Sequence, residues 1–178
     1  MKGFENQVYL VLYIISNVAA LLILWAAWKR PRLARLIFFF LFAAASWTNW
    51  NAALNNPQVY LDYADVSFLP VYRQFIQGWF SHHITVVVGL IATAQALIAV
   101  SMLLRGLLLK IGAVGAIVFL IAIAPLGVGS AFPFSITASL ALYLILKEAA
   151  QDYLWITQRS KISIPKPNGF ARQVSINN

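Results

Sequence analysis

Cysteine is missing altogether, and charged side chains occupy only 10% of the 178 positions, five of them acidic. Without cysteine there are no disulfides, no cysteine-ligated iron–sulfur clusters and no thiolate zinc sites. The shortage of charge excludes more. Soluble domains carry about 25% charged and about 45–50% apolar residues, whereas apolar residues make up 61% here. A soluble fold of this size has too few interior positions to hide that much apolar surface, so the composition points to the membrane. The formal charge of +8 is no signature of nucleic-acid binding, because the 13 Lys and Arg are spread between long apolar runs and form no dense basic stripe. Lipid headgroups are the anionic partner that this pattern predicts.

A hydrocarbon layer about 30 Å thick needs about 20 apolar residues per helix. Five runs answer that requirement: Gln7 to Trp28, Arg35 to Asn55, His83 to Leu104, Leu107 to Gly127 and the shorter Ala131 to Lys147. The first is a retained span and no secretory signal, since its cations Lys29, Arg30, Arg32 and Arg35 follow the apolar run where a signal carries them before it. Pro31 separates spans one and two. With five spans, alternate loops fall on opposite sides. One side then collects eleven cations against Glu148 and Asp152, and the other Lys2 and Arg73 against Glu5, Asp62 and Asp65. The positive-inside rule puts the N-terminus outside and the C-terminus in the cytoplasm, as in a bacterial inner membrane. The predicted fold is therefore all-α, a polytopic bundle of five transmembrane helices. It divides into a first helix with its basic turn (1–34), a four-helix bundle (35–150) containing an external loop (56–82), and a basic tail (151–178).

The external loop is too long for a simple turn. From Pro70 to Phe80 its apolar positions Val71, Tyr72, Phe75, Ile76, Trp79 and Phe80 recur with a helical period. This predicts an amphipathic helix started by Pro70 that either lies on the outer leaflet or closes the bundle. Trp28, Trp79 and Trp155 are predicted anchors at the membrane interface.

No Asp, Glu, Lys or Arg falls at mid-depth in a span, which disfavours proton pumps, ion-coupled transporters and voltage sensors. The interior polar groups are uncharged: Asn17, Ser46, Thr48, Asn49, Asn51, Thr93 and Gln95. Two readings stand side by side. Asn17 and Gln95 tie helices together, or Gln95 with Asn49 or Asn51 lines a cavity and hydrogen-bonds a carbonyl-bearing ligand such as a quinone headgroup. His82 and His83 are the only histidines. Adjacent helical positions diverge by about 100°, so one chain cannot sandwich a haem between them. They are left as interfacial residues, a single axial ligand to haem or a chlorophyll-type pigment, or a proton-responsive pair. Small residues at Gly89, Ala92, Ala96, Gly112, Gly115 and Ala116 are predicted to let spans three and four pack as a tight hairpin.

Between residues 35 and 147 the order of features resembles the DoxX-like family of small membrane proteins. The shared features are Phe38-Phe-Phe-Leu-Phe42, Asn56-Pro57 followed by Tyr60 and Tyr63, Pro70, Gln95 within Ala94-Gln-Ala-Leu-Ile-Ala99, and Ala122-Ile-Ala-Pro125. The resemblance implies a four-helix core and membrane redox chemistry linked to quinone. Two departures bear on it: span one is an addition to the four-helix unit, and Gln95 stands where an acidic residue is often found. Loss of that acid removes a proton carrier, so the expectation is a non-catalytic or quinone-contacting accessory subunit of a larger bioenergetic complex. A quinone-linked oxidoreductase component and a facilitator of a neutral solute or lipid are the alternatives. Other membrane subunits, or further copies of the chain, are the expected protein partners; no metal site is expected.

Overall fold

The computed structural model describes residues 7–130, 132–148 and 154, most of them helical and none in a strand. The rest of the tail, Trp155 included, lies outside the described residues. Five long helices form the body: α1 (Gln7–Lys29), α2 (Pro31–Asn55), α5 (Ile84–Leu103), α6 (Gly106–Ile123) and α7 (Phe134–Glu148). Two short helices, α3 (Tyr63–Val66) and α4 (Pro70–Gln77), sit between α2 and α5. Three-residue-per-turn segments at Pro57–Asp62, Phe80–His82 and Ala124–Ser130 complete the chain. Pro31 and Pro70 each occupy the first turn of their helix, where the missing N–H costs no intrahelical bond. Span two thus starts four residues before its predicted boundary, because Pro31 begins the helix it was expected only to precede.

Pro31–Asn55, Ile84–Leu103 and Gly106–Gly127 are long and apolar enough to cross a membrane, and Tyr13–Lys29 and Phe134–Lys147 are shorter apolar helices. The packing is that of a protein whose outside is apolar. Half of the buried apolar residues among those described are alanines, Ala92, Ala113, Ala116, Ala138 and Ala141 among them, while Leu90, Leu97, Leu107, Ile111 and Val118 point outward. Lipid removes the drive to bury large apolar side chains and leaves close backbone approach as the gain from packing.

The helices close a ring in which α2 contacts α5, α5 contacts α6, α6 contacts α7, α7 contacts α1 and α1 contacts α2, with α2 also reaching α7 across it. Helix α1 is thus one wall of the ring. The α2–α5 pair is antiparallel and pinned at two levels: Ser46 Oγ donates to the Ala92 carbonyl at 2.7 Å, and Thr85 Oγ1 donates to the Ala53 carbonyl at 3.1 Å. Between these levels Gly89 takes the ring of Trp50, which would lie 3.1 Å from a Cβ there.

Two buried apolar clusters divide the interior. The larger one starts at the end of the ring carrying the α1–α2 and α5–α6 turns, with Phe38, Met102, Leu109 and Leu142, and extends along the helices to Phe42 and Leu120. The smaller one, around Ala53, Ala64, Ile76, Phe80, Ile84 and Val88, joins the opposite end to a cap formed by residues 57–82. The cap is fastened to the end of α6. Phe68 N and Ser67 Oγ donate to the Pro125 carbonyl at 2.9 and 3.2 Å, and Tyr72 OH donates to the Ala122 carbonyl at 2.8 Å. Gly127 makes this docking possible. Its φ of 65° and ψ of −128° belong to glycine, and a Cβ there would fall 2.8 Å from the Val66 carbonyl oxygen.

Candidate functional site

A partly open cavity of about 790 Å³ lies between the two clusters and is walled by every long helix and by the cap. Phe42 and Leu120 belong both to its wall and to the larger cluster; Tyr60, Tyr63, Tyr72, Phe75 and Phe80 come from the cap. Tyr13 and Ser16 of α1 complete the wall. Its size falls within the range of about 300–1,000 Å³ found for small-molecule sites, which are mostly apolar with a few placed polar groups. No charged side chain lines the cavity among the described residues.

The polar groups are concentrated in one chain of hydrogen bonds. Tyr60 OH donates to Asn49 Oδ1 at 2.8 Å, and Asn49 Nδ2 donates to Gln95 Oε1 at 2.8 Å. Each link has a local cause. Gln95 lies on the buried stripe of α5 with Val88, Ala92 and Ala99, and is 3% exposed. Asn49 lies one turn beyond Ser46 on the face of α2 that meets α5. Tyr60 is delivered by the turn that begins at Pro57. Its ring stacks on Tyr63 with centroids 6.1 Å apart. Burial, and then the neighbouring Tyr63, raises the Tyr60 pKa; burial, and then Asp62, raises that of Tyr63. Tyr60 therefore stays a neutral O–H donor at physiological pH.

The residues predicted from sequence fall in different places. Asn49 and Gln95 meet in the cavity. Asn51 does not line it: two positions on, it has rotated about 200° around α2, and its Oδ1 accepts from Asn55 Nδ2 on the exposed face at 3.1 Å. Asn17 donates to the Tyr13 carbonyl of its own helix at 2.9 Å, and Gln95 takes Asn49 as its partner. Gly112 lies against Ser101 of α5, whereas a Cβ on Gly115 would meet nothing within 4 Å. Ala92 and Ala116 are fully buried, and Ala96 is half-buried. His82 and His83 are exposed. The His83 ring stacks on Trp79 at 4.5 Å and its Nδ1 is 2.9 Å from the Trp79 carbonyl; a carbonyl only accepts, so Nδ1 carries the proton. No group of three or more His, Cys, Asp or Glu suited to a metal ion occurs among the described residues. Trp28 and Trp79 are exposed, and Lys29 Nζ lies 3.8 Å from the centroid of the Trp28 ring.

Two residues that were not among the predicted site residues stand out. Tyr60 gave no periodic signal, being an aromatic in an irregular segment. Arg35 was counted among the basic residues at the cytoplasmic side, yet its side chain is 1% exposed. Its Nε donates to the Met102 carbonyl at 3.0 Å and its Nη2 to the Leu104 carbonyl. A guanidinium there satisfies carbonyls that the end of α5 leaves without helical partners and sits at the negative end of the helix dipole.

Compared with protein-family models, with curated proteins and with solved structures, the chain finds no significant match.

Proposed function

We propose that the chain is a five-span integral membrane protein that binds a carbonyl-bearing apolar ligand of the quinone class, as a non-catalytic subunit of a larger membrane redox assembly. The observation that carries this reading is the cavity itself: apolar and aromatic walls around one buried amide, Gln95, held by Asn49 and Tyr60. A ring with a carbonyl at its edge and an apolar tail has the matching chemistry. The absence of charge from the described lining favours binding over proton-coupled catalysis. The packing of Phe38, Met102, Leu109 and Leu142 at the end of the bundle away from the cap favours a blind binding site over a route for solutes through the bundle. A DoxX-like relationship, suggested by the order of sequence features alone, is part of the same proposal.

In this reading α1 and α7 span the membrane with α2, α5 and α6. The turns carrying Lys29, Arg30, Arg32, Arg105 and Lys110, together with Lys147 at the end of α7, face the cytoplasm of a bacterial inner membrane. The cap of residues 57–82 faces outward, and α4 closes the cavity with Tyr72, Phe75 and Ile76.

Replacing Gln95 by Leu keeps the volume close and removes the amide. Binding of decylubiquinone to protein in nanodiscs, measured by equilibrium partition against empty nanodiscs, is expected to weaken about tenfold, the equivalent of one hydrogen bond in an apolar site. Unchanged binding removes Gln95 from the site.

A further inference from the structure

Every protein-made hydrogen bond at the amide pair has a direction. Asn49 Oδ1 is taken by the Tyr60 hydroxyl, and Gln95 Oε1 is taken by Asn49 Nδ2. Each amide oxygen therefore already accepts one hydrogen bond from within the protein. The hydrogens that these bonds leave over are the two of Gln95 Nε2 and the second of Asn49 Nδ2. The reverse direction would turn Gln95 Oε1 toward the apolar walls and leave the Tyr60 proton with no acceptor. The observed direction leaves both amide oxygens satisfied, and a buried polar atom without a partner is costly.

We infer that this end of the cavity is selective for a hydrogen-bond acceptor, so the site takes the oxidised, carbonyl form of a quinone in preference to the hydroxyl-bearing quinol, and that Tyr60 sets this polarity by holding Asn49 and, through it, Gln95. The inference rests on the cavity being a quinone site. A quinone carbonyl accepts from Gln95 Nε2 and completes the chain Tyr60 to Asn49 to Gln95 to ligand, in which each bond polarises the next. A quinol hydroxyl can also accept from Gln95 Nε2, but its own proton then faces the apolar walls or must share an amide oxygen that already accepts one hydrogen bond. Discrimination of this kind comes from that poorly paired proton in an apolar site. Tyr60 is a positioning residue here: it acts on the ligand through Asn49. With phenylalanine in its place, Asn49 Oδ1 is released, Gln95 can donate to it, and Gln95 Oε1 is then free to face the ligand.

The test is the ratio of two affinities. Full-length protein in nanodiscs is equilibrated with decylubiquinone in air, and with decylubiquinol under anaerobic reducing conditions, with empty nanodiscs as the reference for partition into lipid. Wild type is expected to bind the quinone at least about tenfold more tightly than the quinol. Tyr60→Phe is expected to bring the two within about threefold, chiefly by tightening the quinol. A purely structural role for Tyr60 would weaken both forms together and leave the ratio unchanged, which overturns its part in selectivity. The wild-type ratio decides on the polarity without any variant: equal binding of the two forms overturns it while leaving the quinone site standing. Binding of neither form above empty nanodiscs overturns the site as well.

Discussion

Gly112→Ala is expected to lower the stability of the bundle by about 3 kcal/mol, although alanine is the better helix former by about 0.5–1 kcal/mol. A Cβ on Gly112 would lie 1.7 Å from Ser101 Oγ and 2.3 Å from Ser101 Cβ. The hydroxyl could rotate away. The Ser101 Cβ is fixed to its backbone and cannot, so α5 and α6 would have to part by about 1.5 Å to restore an ordinary carbon–carbon contact. That separation loosens Ile98, Met102, Leu109 and Ala113, which belong to the larger buried cluster. Gly115→Ala is the matched control: its Cβ meets nothing within 4 Å, so the change is expected to be neutral or slightly stabilising. Thermal unfolding in detergent should separate the two by about 10 °C. Ser101→Gly in the Gly112→Ala background removes the obstructing Cβ and should recover part of the loss, a coupling that a double-mutant cycle measures. Equal melting temperatures for the two alanine variants would show that the helices do not approach as closely as the structure places them.

Removal of the Arg35 guanidinium is the second large effect. Arg35→Met preserves the apolar stem but strips donors from the Met102 and Leu104 carbonyls. The end of α5 is then left with desolvated acceptors and without the charge that complements its dipole. The expected loss is about 3 kcal/mol, read as a fall of about 10 °C in the same assay. Arg35→Lys should recover only part of it, because an ammonium keeps the charge without the fork that reaches two carbonyls. A methionine variant as stable as wild type would mean that water or another group replaces the guanidinium at no cost.

Much of the helical plan was legible because hydrophobic runs and prolines report local structure. Pro70 reads as a helix start and begins α4, whereas Pro31 reads only as the break between two spans and begins α2. The site was legible only in part. Asn49 and Asn51 are identical side chains two positions apart in an apolar helix; which of them faces inward depends on how α2 rotates against α5, and that is fixed by contacts such as Ser46 with Ala92 that are 46 positions apart in the chain. Gly112 and Gly115 pose the same problem at one helix–helix seam, where only the partner's Ser101 separates a crowded glycine from an open one. Tyr60 enters the cavity through the folding of the cap. Arg35 was hidden by a sound rule applied too broadly: cations near helix ends face water unless a helix terminus offers carbonyls to bind them.

The most direct test of the account is photolabelling of the full chain in nanodiscs with an azidoquinone, with the labelled peptides located by mass spectrometry. Labels are expected within 41–49 of α2 and 87–95 of α5, on residues such as Leu41, Ala45, Val88 and Ile91 that line the cavity, and are expected to be lost when excess decylubiquinone is present. Labels confined to outward residues such as Leu90, Leu97 and Val118, unaffected by competition, would contradict it.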